Sequence, residues 1–152
     1  MRIGIISDTH GRLHNRVMER LKDVEYILHA GDFDDQSVMR ELDKLAPVYG
    51  VRGNNDWGLW AHQLPRQLRF DLGGVSFCMS HRREDVPWNL SGVDVVICGH
   101  THRYSEEKIM GRLWLNPGSC SYPRPYTSIP TMILMDADEE GGYSFEKVEL
   151  AP

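Results

Sequence analysis

Residues 3–10 read Ile3-Gly4-Ile5-Ile6-Ser7-Asp8-Thr9-His10, a short apolar run that stops on a carboxylate with an imidazole two positions later. A run that is apolar at nearly every position, rather than alternating, marks a strand covered on both faces. The pattern recurs. Val24–His29 precedes Gly31-Asp32, and Val48–Arg52 precedes Gly53-Asn54-Asn55-Asp56. Val75–Ser80 precedes His81, and Val93–Cys98 precedes Gly99-His100-Thr101-His102. Between the first two runs, Leu13, Val17 and Leu21 at i, i+4, i+8 predict a helix. Between the second and third, Val38, Leu42 and Leu45 predict another, with Asp34 or Asp35 as its cap. This β-α-β-α-β order predicts an α/β sheet with right-handed crossovers.

The second half reads differently. Arg69–Leu72 and Val75–Ser80 around Gly73-Gly74 form a hairpin signal, as do Glu106–Met110 and Arg112–Asn116 around Gly111. Thr131–Met135 and Tyr143–Leu150 flank an acidic loop as a third. With no repeat, low-complexity tract or linker, the expectation is a single domain over residues 1–152, parallel at its start and antiparallel at its end.

Composition narrows the function classes. The chain of 152 residues is 41% hydrophobic and 26% charged, which excludes a disordered, fibrous or coiled-coil protein. A chain this long buries roughly 68–70% of its unfolded surface and needs no disulfide staples. Its net charge of −5 argues against general nucleic-acid binding. No apolar run approaches the ~20 residues of a membrane span. The N-terminal segment reads as a strand, not a leader. The three cysteines, Cys78, Cys98 and Cys120, include no C-x-x-C pair, so a reducing, cytoplasmic setting is the simplest expectation.

What remains is a convergence of polar residues. In open α/β sheets ligands bind beyond the carboxyl ends of the strands. Here each such end carries a carboxylate, an amide or an imidazole. Asp8, His10, Asp32, Asn54, His81, His100 and His102 supply oxygen and nitrogen donors and no thiolate. Such a set suits Mn, Fe, Zn, Co or Ni. It is too large for one tetrahedral ion, but it suits two ions that share a carboxylate, the usual clamp for displacement at phosphorus.

Asp8-Thr9-His10, Gly31-Asp32, Gly53-Asn54, His81 and Gly99-His100-Thr101-His102 together resemble the calcineurin-like metallophosphoesterases. The closer likeness is to their short bacterial and archaeal phosphodiesterases, whose fold the retromer scaffold subunit shares. Asn116-Pro117-Gly118-Ser119 with Pro123-Arg124 adds to it. The resemblance implies a four-layer α/β/β/α sandwich of two mixed sheets flanked by helices. It implies Asp8, His10 and His102 on a first divalent ion, Asn54, His81 and His100 on a second, and Asp32 bridging. Mn²⁺ is the favoured metal, with Fe, Zn, Ni or Co as alternatives. The implied reaction is phosphodiester hydrolysis by a metal-bridging hydroxide, with Asp32, Asn54 and His81 at the catalytic centre. The expected substrate is a small phosphodiester or a nucleotide-like molecule.

Two departures matter. Many relatives carry a His where this chain has Asn55, and an amide cannot be a general acid, so either good leaving groups are favoured or a substrate group or water must supply the proton. Asp56 is the only nearby substitute, and a poor one at neutral pH. After His81 comes Arg82-Arg83, with a crossover of 82–92 near the minimum of ~10–12 residues. Asn55, Arg12, Arg82 and Arg83 are the expected substrate contacts, and Arg103 and Arg124 also lie near motif ends. His14 and His62 read as surface residues, His29 as a core or supporting group, and Cys120 as an inert thiol. Trp57, Leu59, Trp60 and Leu64 read as packing, or else as a lid or an interface that leaves a homo-oligomer open. The competing class is a non-catalytic scaffold on the same fold, which would be free to lose metal donors. A Rossmann-type nucleotide binder would need a G-x-G-x-x-G that the chain lacks.

Overall fold

The computed structural model describes residues 1–150. Three parallel strands start the chain: β1 (Arg2–Ile6), β2 (Tyr26–His29) and β3 (Val48–Gly50). Helices α1 (Asn15–Leu21) and α2 (Gln36–Asp43) connect them. The Asp35 carboxylate caps α2 by accepting from Ser37 N at 3.0 Å, which decides between the two expected caps. A four-residue helix α3 (Leu59–His62) leads to β4 (Gln67–Leu72) and β5 (Val75–Ser80), the expected Gly-Gly hairpin. Then come β6 (Val95–Ile97), the hairpin β7 (Tyr104–Ile109) and β8 (Arg112–Pro117), and the hairpin β9 (Thr131–Ala137) and β10 (Tyr143–Glu149).

The strands form two five-stranded mixed sheets, in the orders β10-β9-β1-β2-β3 and β4-β5-β6-β8-β7. The five apolar runs are thus divided, three in the first sheet and two in the second. The last hairpin returns across the whole chain to lie antiparallel on β1.

Period-two alternation sorts each strand between two cores. Ile3, Ile5, Ile133 and Met135 point inward and meet Val75, Phe77, Met79, Val95 and Ile97 of the other sheet. Ile6, Ile27, Met132 and Leu134 point outward against Val17 and Leu21 of α1 and Val38 and Leu42 of α2. Each such side chain contributes ~1.5–3 kcal/mol when fully buried. On the far face of the second sheet the layer is thin. The 82–92 crossover holds only one 3-10 turn, Arg83–Asp85, and its Val86 and Leu90 cover Cys78, Val96 and Cys98. No described helix is long and apolar enough to cross a membrane.

Candidate metal centre

The loops leaving β1, β2, β5 and β6 converge at one end of the two sheets. The backbone there is held in unusual conformations. Asp8, His10, Asp32, Asp34, His100 and His102 all have positive φ, between 48° and 72°. Non-glycine residues rarely adopt that region, and such strain gathers where a site dictates it. Gly31, at φ 102°, packs where a Cβ would stand 2.7 Å from His81 Nδ1. Gly53 has no such φ; a Cβ there would strike the Asp32 carboxylate, so close approach, rather than turning, requires that glycine.

Asp8 and Asp32 are buried, and each turns one oxygen to protein donors and another inward. Asp8 Oδ2 accepts from Ser7 Oγ at 2.6 Å and His100 N at 3.0 Å. Its Oδ1 lies 3.4 Å from His102 Nε2, 3.7 Å from His10 Nε2 and 3.9 Å from His81 Nε2. Asp32 Oδ1 accepts from Asn55 N at 2.9 Å. Its Oδ2 lies 3.2 Å from His81 Nε2 and 3.7 Å from His10 Nε2.

The other ring nitrogens are tethered. His81 Nδ1 donates to Ala30 O at 2.7 Å and His102 Nδ1 to Tyr122 O at 2.6 Å. A carbonyl only accepts, so Nδ1 carries a proton, and once Nε2 gives up its own it presents a lone pair to the centre. His10 Nδ1 pairs with Asp34 Oδ2 at 2.9 Å. Asp8 Oδ1 and His81 Nε2 are buried and make no hydrogen bond among the described residues. Orphaned buried acceptors that face one another are costly unless a cation lies between them.

Two donor triads result, Asp8/His10/His102 and Asp32/His81/His100, each with its donor atoms within 4.8 Å of one another. This oxygen and nitrogen set fits divalent transition metals. A third group, Asp32/Asp34/Asp56, is already engaged. Asp56 Oδ2 accepts from Gly53 N at 2.8 Å and Asp32 N at 3.0 Å, and its Oδ1 from Asp34 N at 2.9 Å. Asp56 therefore ties the loops after β2 and β3 together, and burial raises its carboxyl against those three donors.

The charges reinforce one another. Burial would raise Asp8, yet pairing with His10 and His102, the charge of His81 and the Ser7 hydroxyl hold it well below the carboxylate range. Asp32 is lowered likewise, against burial, by His81 and the Asn55 N–H. Pairing with Asp8, and then with Asp34, pushes His10 up to about 9. His81 is raised, against its burial, by Asp32 and Asp8. His100 is lowered by burial and by the charges of His81 and Arg82. Behind the centre, wholly buried His29 is pushed down to about 3 by burial and stacks on Phe33 with ring centroids 3.6 Å apart.

The structure also redistributes the expected contacts. Asn54 is exposed, and its side chain makes no hydrogen bond among the described residues. Asn55 is the amide that touches the centre, with Nδ2 3.4 Å from Asp32 Oδ2. Arg83, expected at substrate, turns instead to the outer face of the second sheet. There it pairs with Glu107 at 3.1 Å and lies over the Trp114 ring at 4.8 Å. The short crossover carries it to that face. Arg12 is exposed, and only its backbone is engaged, its N–H donating to Thr9 O and its carbonyl accepting from Ser121 Oγ. Arg82 is half-buried near His100. Of the apolar patch, Trp60 and Leu64 pack on the α1/α2 core while Trp57 and Leu59 stay exposed. His62 is exposed and His14 half-buried. Asp34, the partner of His10, was legible in sequence only as a candidate cap of α2. The Ser119 hydroxyl, which donates to Asp8 O at 2.7 Å, was marked only by its Asn-Pro-Gly-Ser loop.

Strand-end loops of a two-sheet sandwich that present paired carboxylates and imidazoles form a site suited to divalent-metal chemistry. Residues 1–140 match the calcineurin-like phosphoesterase superfamily domain, and the chain belongs to that superfamily. It is similar to a probable metallophosphoesterase of Methanothermobacter thermautotrophicus, at 33% identity over 92% of this chain and 88% of the relative. It is similar to a phosphodiesterase of Methanocaldococcus jannaschii, at 32% identity over 92% of this chain and 95% of that one. Among solved structures, one described as a novel archaeal phosphodiesterase superposes with TM-score 0.73 at 27% identity, covering 97% of this chain and all of that one (100%). Wild-type Vps29 of Entamoeba histolytica, complexed with Zn²⁺, superposes with TM-score 0.77 at 21% identity, covering 99% and 100%. That likeness shows the shared fold.

Proposed function

We propose that this chain is a phosphodiesterase that works with two divalent transition-metal ions, Mn²⁺ foremost. The observation that carries the reading is the position of Asp32 Oδ2, 3.2 Å from His81 Nε2 of one donor group and 3.7 Å from His10 Nε2 of the other. Asp8, His10 and His102 would hold one ion, and His81, His100 and Asn54 the other, with Asp32 serving both. When bound, such a pair supplies Lewis acidity toward a phosphoryl group and a water acidified enough to attack phosphorus near neutral pH.

The chain's own groups do the positioning. The carbonyls of Ala30 and Tyr122 orient His81 and His102. The Asn55 backbone N–H and the Asp56 cradle orient Asp32, whose second oxygen faces His81 and His10 with only a long contact from the Asn55 amide. Asn55 has no proton to give a leaving alkoxide, and buried Asp56 is engaged with backbone donors. Substrates with good leaving groups are therefore favoured.

The test is direct. The Mn²⁺-loaded protein should hydrolyse bis(p-nitrophenyl) phosphate, and Asp32→Asn should lower the content of both ions together. Inactivity across Mn²⁺, Fe²⁺, Zn²⁺, Ni²⁺ and Co²⁺ would favour a docking scaffold on the same fold. Retention of two ions per chain by the variant would refute the shared carboxylate.

A further inference from the structure

Beside the metal centre lies a cleft of about 620 Å³ with His10 and His102 in its lining. The metal chemistry makes no use of its other walls. They carry two tyrosines, Tyr122 and Tyr126, and two arginines, Arg103 and Arg124. The Tyr122 ring meets His10 edge-on, with centroids 5.9 Å apart, so aromatic surface continues out from the centre. The wall is fixed to the metal-side histidine from two directions. His102 Nδ1 donates to Tyr122 O at 2.6 Å, and Arg124 N donates to His102 O at 2.9 Å.

Two features of this cleft are unexplained by folding. Tyr126 is 89% exposed, so its ring adds almost nothing to stability through burial. The Arg103 and Arg124 guanidinium groups have no carboxylate or hydrogen-bonding partner among the described residues, whereas Arg2 and Arg83 are paired. An open aromatic face next to two unpaired guanidinium groups matches a ligand with a planar ring and an anion. A lipid tail would need an enclosed channel, and this cleft is open to solvent. A long nucleic acid would need more cationic surface than a chain of net charge −5 displays here.

We propose that this cleft is the subsite for the nucleoside part of a nucleotide-type phosphodiester. The base stacks against Tyr126, and Arg103 and Arg124 hold a phosphate other than the one under attack. This deepens the phosphodiesterase reading and rests on it.

Two diesters that release the same group test it: the p-nitrophenyl ester of thymidine 5′-monophosphate and methyl p-nitrophenyl phosphate. The Mn²⁺-loaded protein should prefer the thymidine ester in kcat/KM, and Tyr126→Ala should shrink that preference about tenfold, the scale of one base–aromatic stack. Calorimetry gives a second readout. AMP should bind more tightly than methyl phosphate, and ADP more tightly than AMP. Tyr126→Ala should remove the first difference, and the Arg103→Ala/Arg124→Ala double variant the second. Tyr126 is so exposed that its truncation leaves the fold intact, which circular dichroism checks. Hydrolysis of both diesters with a ratio independent of Tyr126, and equal binding of AMP and methyl phosphate, would overturn the subsite and spare the diesterase reading. No hydrolysis of either diester, with Tyr126-dependent AMP binding, would do the reverse.

Discussion

His10 Nε2 and His102 Nε2 stand 3.0 Å apart, brought together from loops 92 positions distant in sequence. Two imidazole nitrogens at that distance share either a proton or a cation. In the metal-free protein it is a proton, because Asp8 and Asp34 push His10 up to about 9.

A divalent ion must therefore displace that proton. Mn²⁺ binding at pH 7 should release protons, and the release from His10 should fade as pH rises past about 9. Calorimetric titrations in buffers of different ionisation enthalpy measure it. Zero net release at pH 7 would contradict the His10 assignment. The same competition should lower activity below about pH 6, since imidazole must be neutral to coordinate.

His29 should make the fold acid-sensitive. Its Nδ1 accepts from Gly31 N at 3.1 Å, so Nε2–H donates to Thr9 Oγ1, also at 3.1 Å, and the ring stays neutral. Burial holds its folded pKa down at about 3, well below the ~6.5 of a free imidazole. The unfolded chain thus binds a proton that the native one refuses. The stability His29 contributes is full above the unfolded pKa and is lost as pH falls toward the folded one. His29→Ala should cost about 3 kcal/mol at neutral pH from the lost ring and stranded donors. Urea melts at pH 7.5 and 4.5 should show most of that penalty gone at the lower pH. A pH-independent penalty would refute the neutral ring.

Asp56→Ala strands the buried N–H groups of Gly53 and Asp32 and the part-buried one of Asp34. It should weaken Mn²⁺ binding about 10–100-fold by freeing Asp32 to move. It should also cost about 3 kcal/mol of stability. Calorimetry and urea melts separate the two effects. Lost stability with unchanged metal affinity would confine Asp56 to a purely structural role.

The thiols should be inert in the native state. Cys78, Cys98 and Cys120 are free and buried, and burial pushes Cys98 and Cys120 up to about 12. Iodoacetamide at pH 8 should label none until denaturant is added, as counted by mass spectrometry. Labelling of native Cys78 or Cys98 within minutes would mean that the thin outer layer over the second sheet opens readily.

Much of this was legible in local sequence, because the cues are local. A strand covered on both faces must be apolar throughout, so β1, β2 and β5 are visible as runs, and Asp8, Asp32 and His81 follow from being the first polar residues after them. The Gly-Gly turn revealed β4–β5. Less local features were hidden. The division of five strands between two sheets depends on which faces meet, and β9 returns to β1 from the other end of the chain. Arg83 was misread for the same reason: the spacing places it beside His81, but the direction taken by a one-turn crossover sends its side chain to the opposite face. Asn54 and Asn55 show a subtler limit. Adjacent amides are alike in sequence, and only loop geometry decides which one meets Asp32.

Residue types alone set the donor chemistry, since hard carboxylate and borderline imidazole groups without thiolate limit the metals whatever the fold does. The sequence also determined the likeness to the phosphoesterases, carried by five motifs in order. The tertiary structure alone decided that two lone pairs, on Asp8 Oδ1 and His81 Nε2, are buried and unanswered. It alone decided that Asp32 Oδ2 lies 3.2 Å from His81 Nε2 and 3.7 Å from His10 Nε2, and that an aromatic, cationic cleft opens next to them. The physical reason is that residue type sets what an atom can bond to, whereas the distance between atoms from remote strands exists only once both sheets have packed.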